Sequence, residues 1–153
     1  MCCYLGEIPD FKPYNQWCHQ CSSRLRCDDY EARPSPCRQF NCVYVRSMLG
    51  TEWYPMRSHM VVSAHDNPKR MTVLVDPETP MVWQETAYFP QLQAWARECP
   101  VTVMVGLHAF AVYPDRLEDL GELAEGEQVE ITETRIGDKT QFLLRRCAPS
   151  APA

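Results

Sequence analysis

Two stretches decide the architecture of this chain: Cys18-His19-Gln20-Cys21 and, after a five-residue gap, Cys27-Asp28-Asp29-Tyr30-Glu31-Ala32-Arg33-Pro34-Ser35-Pro36-Cys37-Arg38-Gln39-Phe40-Asn41-Cys42. With Cys2 and Cys3 they hold seven of the nine cysteines, while Cys99 and Cys147 stand alone far downstream. Thiols crowd in this way either to form disulfides or to hold a metal as thiolates. The start, Met1-Cys2-Cys3-Tyr4-Leu5-Gly6-Glu7, has no basic segment followed by an apolar one, so no export signal is expected and the expected compartment is the reducing cytoplasm. There, clustered cysteines serve metals more often than disulfides, and an odd number of them closes a disulfide framework poorly.

Around this cluster the chain has room for one ordinary domain, or a small domain with an appendage: 153 residues, 45% apolar. Thirteen prolines imply many turns and few long helices. No apolar run is long enough to cross a bilayer as a helix, so no membrane partner is expected. The net charge of −5 is unevenly spread, and Asp115–Glu133 carries eight acids against the single base Arg116. Such a surface repels phosphate backbones, which argues against nucleic acid as a partner. For that span a solvated acidic face is favoured over a docking surface for a basic partner.

Upstream of Cys18, residues 4–16 lack periodicity and are expected to form an irregular loop. Pro34 and Pro36 should prevent a helix through Ser35 and fix a turn before Cys37. A short helix over Arg38–Met48 would align Phe40, Val43, Tyr44 and Ser47. From Met60 the pattern changes to strands. Met60–Ala64 and Met71–Val75 flank a turn-rich link, and Val101–Val105 and Leu107–Tyr113 form a hairpin around Gly106. Gln128–Arg135 and Thr140–Arg145 form another, with Gly137-Asp138 in the loop. Pro90 should open a helix with Leu92, Trp95, Ala96 and Cys99 on one face and Pro100 at its end. The fold class expected is α+β: an irregular cysteine-rich metal-binding lobe over residues 1–59, a mainly antiparallel β-sheet with one helix over 60–147, and a flexible tail over 148–153.

Thiolates suit zinc and iron–sulfur centres. A CxxC turn lets two sulfurs face one ion, and the further cysteines make a metal centre the natural reading. The spacing matches neither a simple zinc finger nor the bacterial ferredoxin run. The lobe is expected to bind through Cys3, Cys18, Cys27, Cys37 and Cys42, with Cys2 and Cys21 as additions and His19 as an eighth candidate. Seven thiols and one imidazole would suffice for two tetrahedral zinc ions. Zinc is favoured on that count over an iron–sulfur cluster, which spacing leaves open. Arg33 and Arg38 are expected to offset thiolate charge and donate to sulfur, Tyr30 and Phe40 to give the metal aromatic cover, and Arg24 and Arg26 to be ordinary surface arginines.

The run C-x-x-Y-x-x-R-P-x-x-C-R-x-F-x-C from Cys27 to Cys42 resembles the signature of the YkgJ-like putative zinc- or iron-chelating cysteine-cluster (CxxCxxCC-type) family. Cys2-Cys3 is similar to the end of that family's leading C-x-x-C-C element, whose first cysteine would fall ahead of Met1. Cys18 resembles the single cysteine that precedes the signature, whereas His19 and Cys21 sit where the family varies. Val73–Pro77, Trp83, Tyr88, Leu92 and Trp95 look like the extension of one bacterial branch. The resemblance implies metal binding without an established reaction. A larger relative with a similar cluster, the flagellin lysine methylase, acts on proteins with a methyl donor.

Other candidates have plainer readings. His108 alternates with apolar residues in a strand and should be structural, and His59 and His65 should face solvent. Cys99 should be buried as a small hydrophobe, and Cys147 should be a free thiol. Asp28 and Asp29 should serve in turns or caps. No GxGxxG, Walker loop, HExxH or GxSxG supports nucleotide binding or hydrolysis. The sequence thus points to a cytoplasmic metal-binding module, structural or redox-responsive, with a protein partner. The competing reading is an enzyme that uses an iron–sulfur centre for redox chemistry or protein modification.

Overall fold

Runs of valine, methionine and threonine build the sheet because branched side chains pack well on a pleated surface. The computed structural model describes residues 1–8, 11–24, 27–40, 42–46, 49–66, 69–124, 126–137 and 139–148. In chain order it contains α1 (Cys2–Leu5), α2 (Ser35–Gln39), α3 (Pro55–Ser58), β1 (Met60–Asp66), β2 (Lys69–Val75), α4 (Phe89–Trp95), β3 (Val101–Val105), β4 (His108–Val112), β5 (Leu117–Glu122), β6 (Gln128–Ile136) and β7 (Lys139–Cys147). Strands β1 to β5 form one sheet in sequence order, and β6 and β7 pair as a separate ribbon. The class is α+β with mainly antiparallel pairing. The exception is β2 beside β3, which run parallel with Val73 opposite Val103. A parallel neighbour needs a crossover, and residues 76–100, including α4, supply it.

Side chains alternate across the sheet, so each face has its own cover. Met60 and Val62, Val73 and Val75, and Val101 and Val103 point into the main core, beneath Trp83 and Leu92. Each fully buried aliphatic side chain contributes roughly 1.5–3 kcal/mol. Their neighbours face the other way. Val61, paired with Leu74, carries Leu5 of α1 and Cys42. Farther along that face Ala111 and Tyr113 carry Leu144 of β7, whose amide donates to the Tyr113 hydroxyl at 3.2 Å. The cysteine-rich N-terminal region and the ribbon therefore both pack against the face opposite the main core.

Residue 60 is not a boundary in the packing. Val43 and Trp53 belong to the main core, and Trp53 packs against Tyr88 and Trp95 at centroid distances of 5.0 and 5.2 Å. The Val43 amide donates to the Val62 carbonyl at 2.8 Å, fastening this segment along the edge of β1.

Several local expectations change. The helix near Cys37 spans Ser35–Gln39, not Arg38 onward, with Pro34 as its N-cap and Pro36 in its first turn. The prolines start this helix instead of preventing it, because the first turn's amides have no intrahelical acceptor to lose. Residues 4–16 are not wholly irregular: Tyr4 and Leu5 belong to α1, and an isolated bridge joins Ile8 to Lys12. The acidic span contains an additional strand, β5, and its charges are tolerated because it is an edge strand with one side open to water. His59 is half-buried and its Nδ1 lies 3.1 Å from buried Asp76, so it does not simply face solvent. Cys147 is the last residue of β7, paired with Gln128, inside the 60–147 unit as expected. As expected, α4 begins at Phe89-Pro90, and Leu92, Ala96 and Cys99 are buried. Ser47, Met48, Arg26, Asp138 and the tail beyond Ala148 lie outside the described residues.

Candidate metal centre

Short hydrogen-bonded turns bring the cysteines together. In α1 the Met1 carbonyl accepts from the Tyr4 and Leu5 amides, each at 2.9 Å, and buried Leu5 anchors the helix to the sheet. This fixes Cys2 and Cys3. The Cys3 carbonyl then accepts from the Cys18 amide at 2.9 Å, drawing the CxxC turn to the vicinal pair. Within that turn the Cys21 amide donates to the Cys18 carbonyl at 3.0 Å. Asp28 closes the next loop: its amide donates to the Gln20 carbonyl at 2.7 Å, and its carboxylate accepts from the Ser22 amide at 2.8 Å. Asp29 accepts from the Ala32 amide, so both aspartates do serve turns. The Cys27 thiol donates to the Asp29 carbonyl at 3.3 Å, and α2 carries Cys37.

The thiols sense one another. Cys2 is lowered to about 6, first by a hydrogen bond from the Cys3 thiol and also by the N-terminal ammonium. Cys3 is pushed far upward because it keeps the proton it shares with Cys2. Burial raises Cys21, against a hydrogen bond with Cys3. Burial also raises Cys37, with further upward pressure from Cys18, Cys2 and Cys27 and relief from Arg33. Cys3 thus acts on Cys2 and Cys21, and Cys18, Cys2 and Cys27 act on Cys37, linking the six thiols pair by pair. Cys42 has a different seat, buried in the apolar cluster of Leu5 and Val61.

As donors these thiols suit zinc or an iron–sulfur cluster. Among the described residues, no three His, Cys, Asp or Glu side chains already stand in the arrangement that encloses an ion. The sulfurs are gathered but not closed into a polyhedron. Gln20, between Cys18 and Cys21, has its side-chain oxygen buried without a hydrogen-bond donor among the described residues. Such an atom costs about 1–3 kcal/mol.

The residues expected to surround the metal have other work. Arg33 lies over the Tyr30 ring at 3.6 Å and donates to the Tyr30 carbonyl. Its charge nevertheless eases ionisation of Cys37. Arg38 donates to the carbonyls of Arg33 and Glu31 at 2.9 and 3.1 Å, fastening the loop ahead of α2. The guanidinium partners are therefore carbonyls and a ring, not sulfur. Tyr30 is 62% exposed and Phe40 40%, so they do not seal the lobe. Elsewhere in this region Tyr4 stacks on Trp17 at 5.2 Å and Phe11 lies against His19 at 4.4 Å. His19 itself is exposed.

Sequence reasoning missed Lys12. It is only 6% exposed, and its ammonium donates to the carbonyls of Tyr4 at 3.1 Å, Gly6, and Pro13 at 2.7 Å. Burial lowers its pKa while the charges of Cys18, Cys3, Cys37 and Cys2 raise it. The only hint in the sequence is that Lys12 is the sole lysine among the first 59 residues, where every other base is arginine. Comparison with protein-family models, curated proteins and solved structures yields no match. No helix among the described residues is long and apolar enough to cross a membrane.

Proposed function

We propose that this chain is a cysteine-ligated metal-binding protein, holding zinc or an iron–sulfur centre in its N-terminal lobe. One observation carries the reading: six cysteines spread over residues 2–37 are folded by successive backbone turns into mutual electrostatic reach. A chain that needed these cysteines only as small hydrophobes would bury them apart, as it does Cys99. Cys3, Cys18, Cys21, Cys27 and Cys37 would be the principal ligands, with Cys2 beside them. Cys42 would join only by leaving its apolar seat. The lobe then acts as a structural or redox-responsive module of a cytoplasmic protein that contacts a protein partner.

Elemental analysis of natively purified protein is the test. Zinc in a colourless protein supports a structural centre, and iron with absorbance near roughly 400 nm supports an iron–sulfur one. Neither metal, with all seven N-terminal thiols freely alkylated, would end the proposal.

A further inference from the structure

We propose that the cavity beside α3 is a second site, one that binds a small phenol and takes its hydroxyl proton on Nε2 of His59. This site does not depend on the cysteine lobe. The cavity measures about 510 Å³, within the size range of small-molecule sites. His59 lines it, directly after α3, with φ 56° and ψ 26°. That left-handed conformation suits glycine, the usual residue at such a helix end, and is costly for histidine. What histidine adds there is its ring. Nδ1 lies 3.1 Å from Oδ2 of Asp76, whose side chain is only 7% exposed. The other carboxylate oxygen accepts from the Glu78 amide at 3.0 Å, and the Asp76 amide donates to the His59 carbonyl at 2.9 Å. Asp76 is thus held at both oxygens and at its backbone. A carboxylate only accepts, so it keeps the ring hydrogen on Nδ1 and leaves Nε2 with a lone pair to accept another.

The other walls select the partner. Met81, 59% exposed, gives an apolar side, and Tyr88 adds a ring whose hydroxyl already donates to the Glu52 carbonyl at 3.2 Å. Together they suit a flat apolar body. Arg57 lines the same cavity and forms no ion pair among the described residues, so its charge can serve an oxygen that becomes negative. Glu85 lies in the lining as well and disfavours ligands with several negative charges, such as phosphates. Thr79, also in the lining, has its hydroxyl oxygen buried without a hydrogen-bond partner among the described residues. Folded proteins leave few such atoms without a reason. In the step itself the ligand O–H bond breaks, its electron pair stays on oxygen, and the proton bonds to Nε2. The Asp76 carboxylate then stabilises the imidazolium, and Arg57 supplies positive charge for the oxyanion.

The test adds para-nitrophenol to the natively purified full chain, at a pH low enough that the free probe is colourless. The parent should bind it and turn it yellow, the colour of the nitrophenolate. His59→Gly should keep the fold, since glycine accepts the left-handed backbone, yet bind the probe roughly ten- to a hundredfold more weakly and without colour. Asp76→Asn can still hydrogen-bond the ring, but its amide donates to Nδ1, which moves the ring hydrogen to Nε2 and removes the acceptor. It should lose the colour as well. A parent that leaves the probe unbound or colourless overturns the proposal, as does the parent's colour in either variant. Should a variant not fold, nitrogen NMR of the parent decides. The His59 ring should carry its hydrogen on Nδ1, and the probe should shift Nε2 towards its protonated position. A hydrogen on Nε2 in the absence of probe, or an Nε2 signal that the probe does not move, also overturns it. None of these readouts involves metal, so the metal reading and this one fail separately.

Discussion

The two faces of the main sheet are covered in opposite ways. One carries a dry core in which Trp83 is fully buried between Phe89 and Phe110, over the valines of β1 to β3. The other, at β1 and β2, carries the cysteine lobe through a small cluster in which Leu5 and Cys42 are buried against Val61, with Met1, Tyr4 and Tyr44 partly buried around them. In the lobe, order comes from turns, three lysine hydrogen bonds and a cluster of thiols. Apolar area stabilises a sheet wherever alternation supplies it. A short, proline-rich, turn-rich lobe has less of it to set against its conformational entropy, and a metal centre, as proposed, would add a cross-link of another kind.

Chelation should break this comparison most sharply. If the lobe binds metal as proposed, that binding supplies folding free energy, about 10–16 kcal/mol in zinc-finger peptides. Stripping the metal is expected to erase amide protection across residues 1–40 while β1 to β4 keep theirs, as read by hydrogen exchange. Equal lobe protection with and without metal would contradict the account. Next comes the dry face. Trp83→Ala should destabilise the whole fold by about 3–5 kcal/mol in denaturant titration while leaving metal content per folded molecule unchanged. A loss below about 1 kcal/mol would mean that the core is looser than its burial indicates.

Third, Arg33→Ala and Arg38→Ala should each weaken metal retention by roughly ten- to a hundredfold in chelator competition. Arg33 acts by its charge near Cys37 and Arg38 by holding the loop ahead of α2, so lysine should rescue position 33 better than 38. Parental retention in both alanine variants would reassign these arginines to the surface. The smallest effect concerns β5 and the turn that leads into the ribbon. Asp119 is held below the usual carboxylate range first by His108, and Glu127 first by the Ala124 amide and then by Arg146. A lowered carboxyl favours the folded state above its unfolded pKa and loses that contribution as pH falls through the folded one. Amide exchange at β5 and around residues 124–127 should therefore quicken modestly as pH falls below the ordinary carboxylate range, and Glu127→Gln should flatten that response near residue 127. An unchanged profile in the variant would show that the pair with Arg146 contributes nothing measurable.

Much of the sheet could be read from the chain because β-branched runs and turn residues are local signals. Met60–Ala64, Met71–Val75, Val101–Val105 and both hairpins have that character, and Pro90 marks its helix as plainly. β5 could not be read that way: its Glu118, Asp119 and Glu122 look like solvated charge, and only the neighbouring β4 makes them a strand. The helix at Ser35–Gln39 was obscured because a proline counts as a breaker unless its place in the first turn is known. In the N-terminal region the density of thiols was legible in the sequence. Which ones converge was not, because that depends on the Cys18 amide meeting the Cys3 carbonyl and on Leu5 seating itself beside Cys42 and Val61. Lys12 was invisible because nothing local marks a buried lysine.

The hydrogen bond from Val43 to Val62 has a consequence beyond the centre itself. β1 is an outer strand of the sheet, and Met60-Val61-Val62 is the kind of apolar, β-branched edge that templates pairing with other chains. Val43 occupies that edge, and its neighbour Cys42 is packed into the cysteine lobe. A protein that loses its lobe therefore uncovers a sticky seam. On the metal-binding reading proposed above, self-association and clumping, more than simple loss of binding, would be the visible outcome of metal starvation.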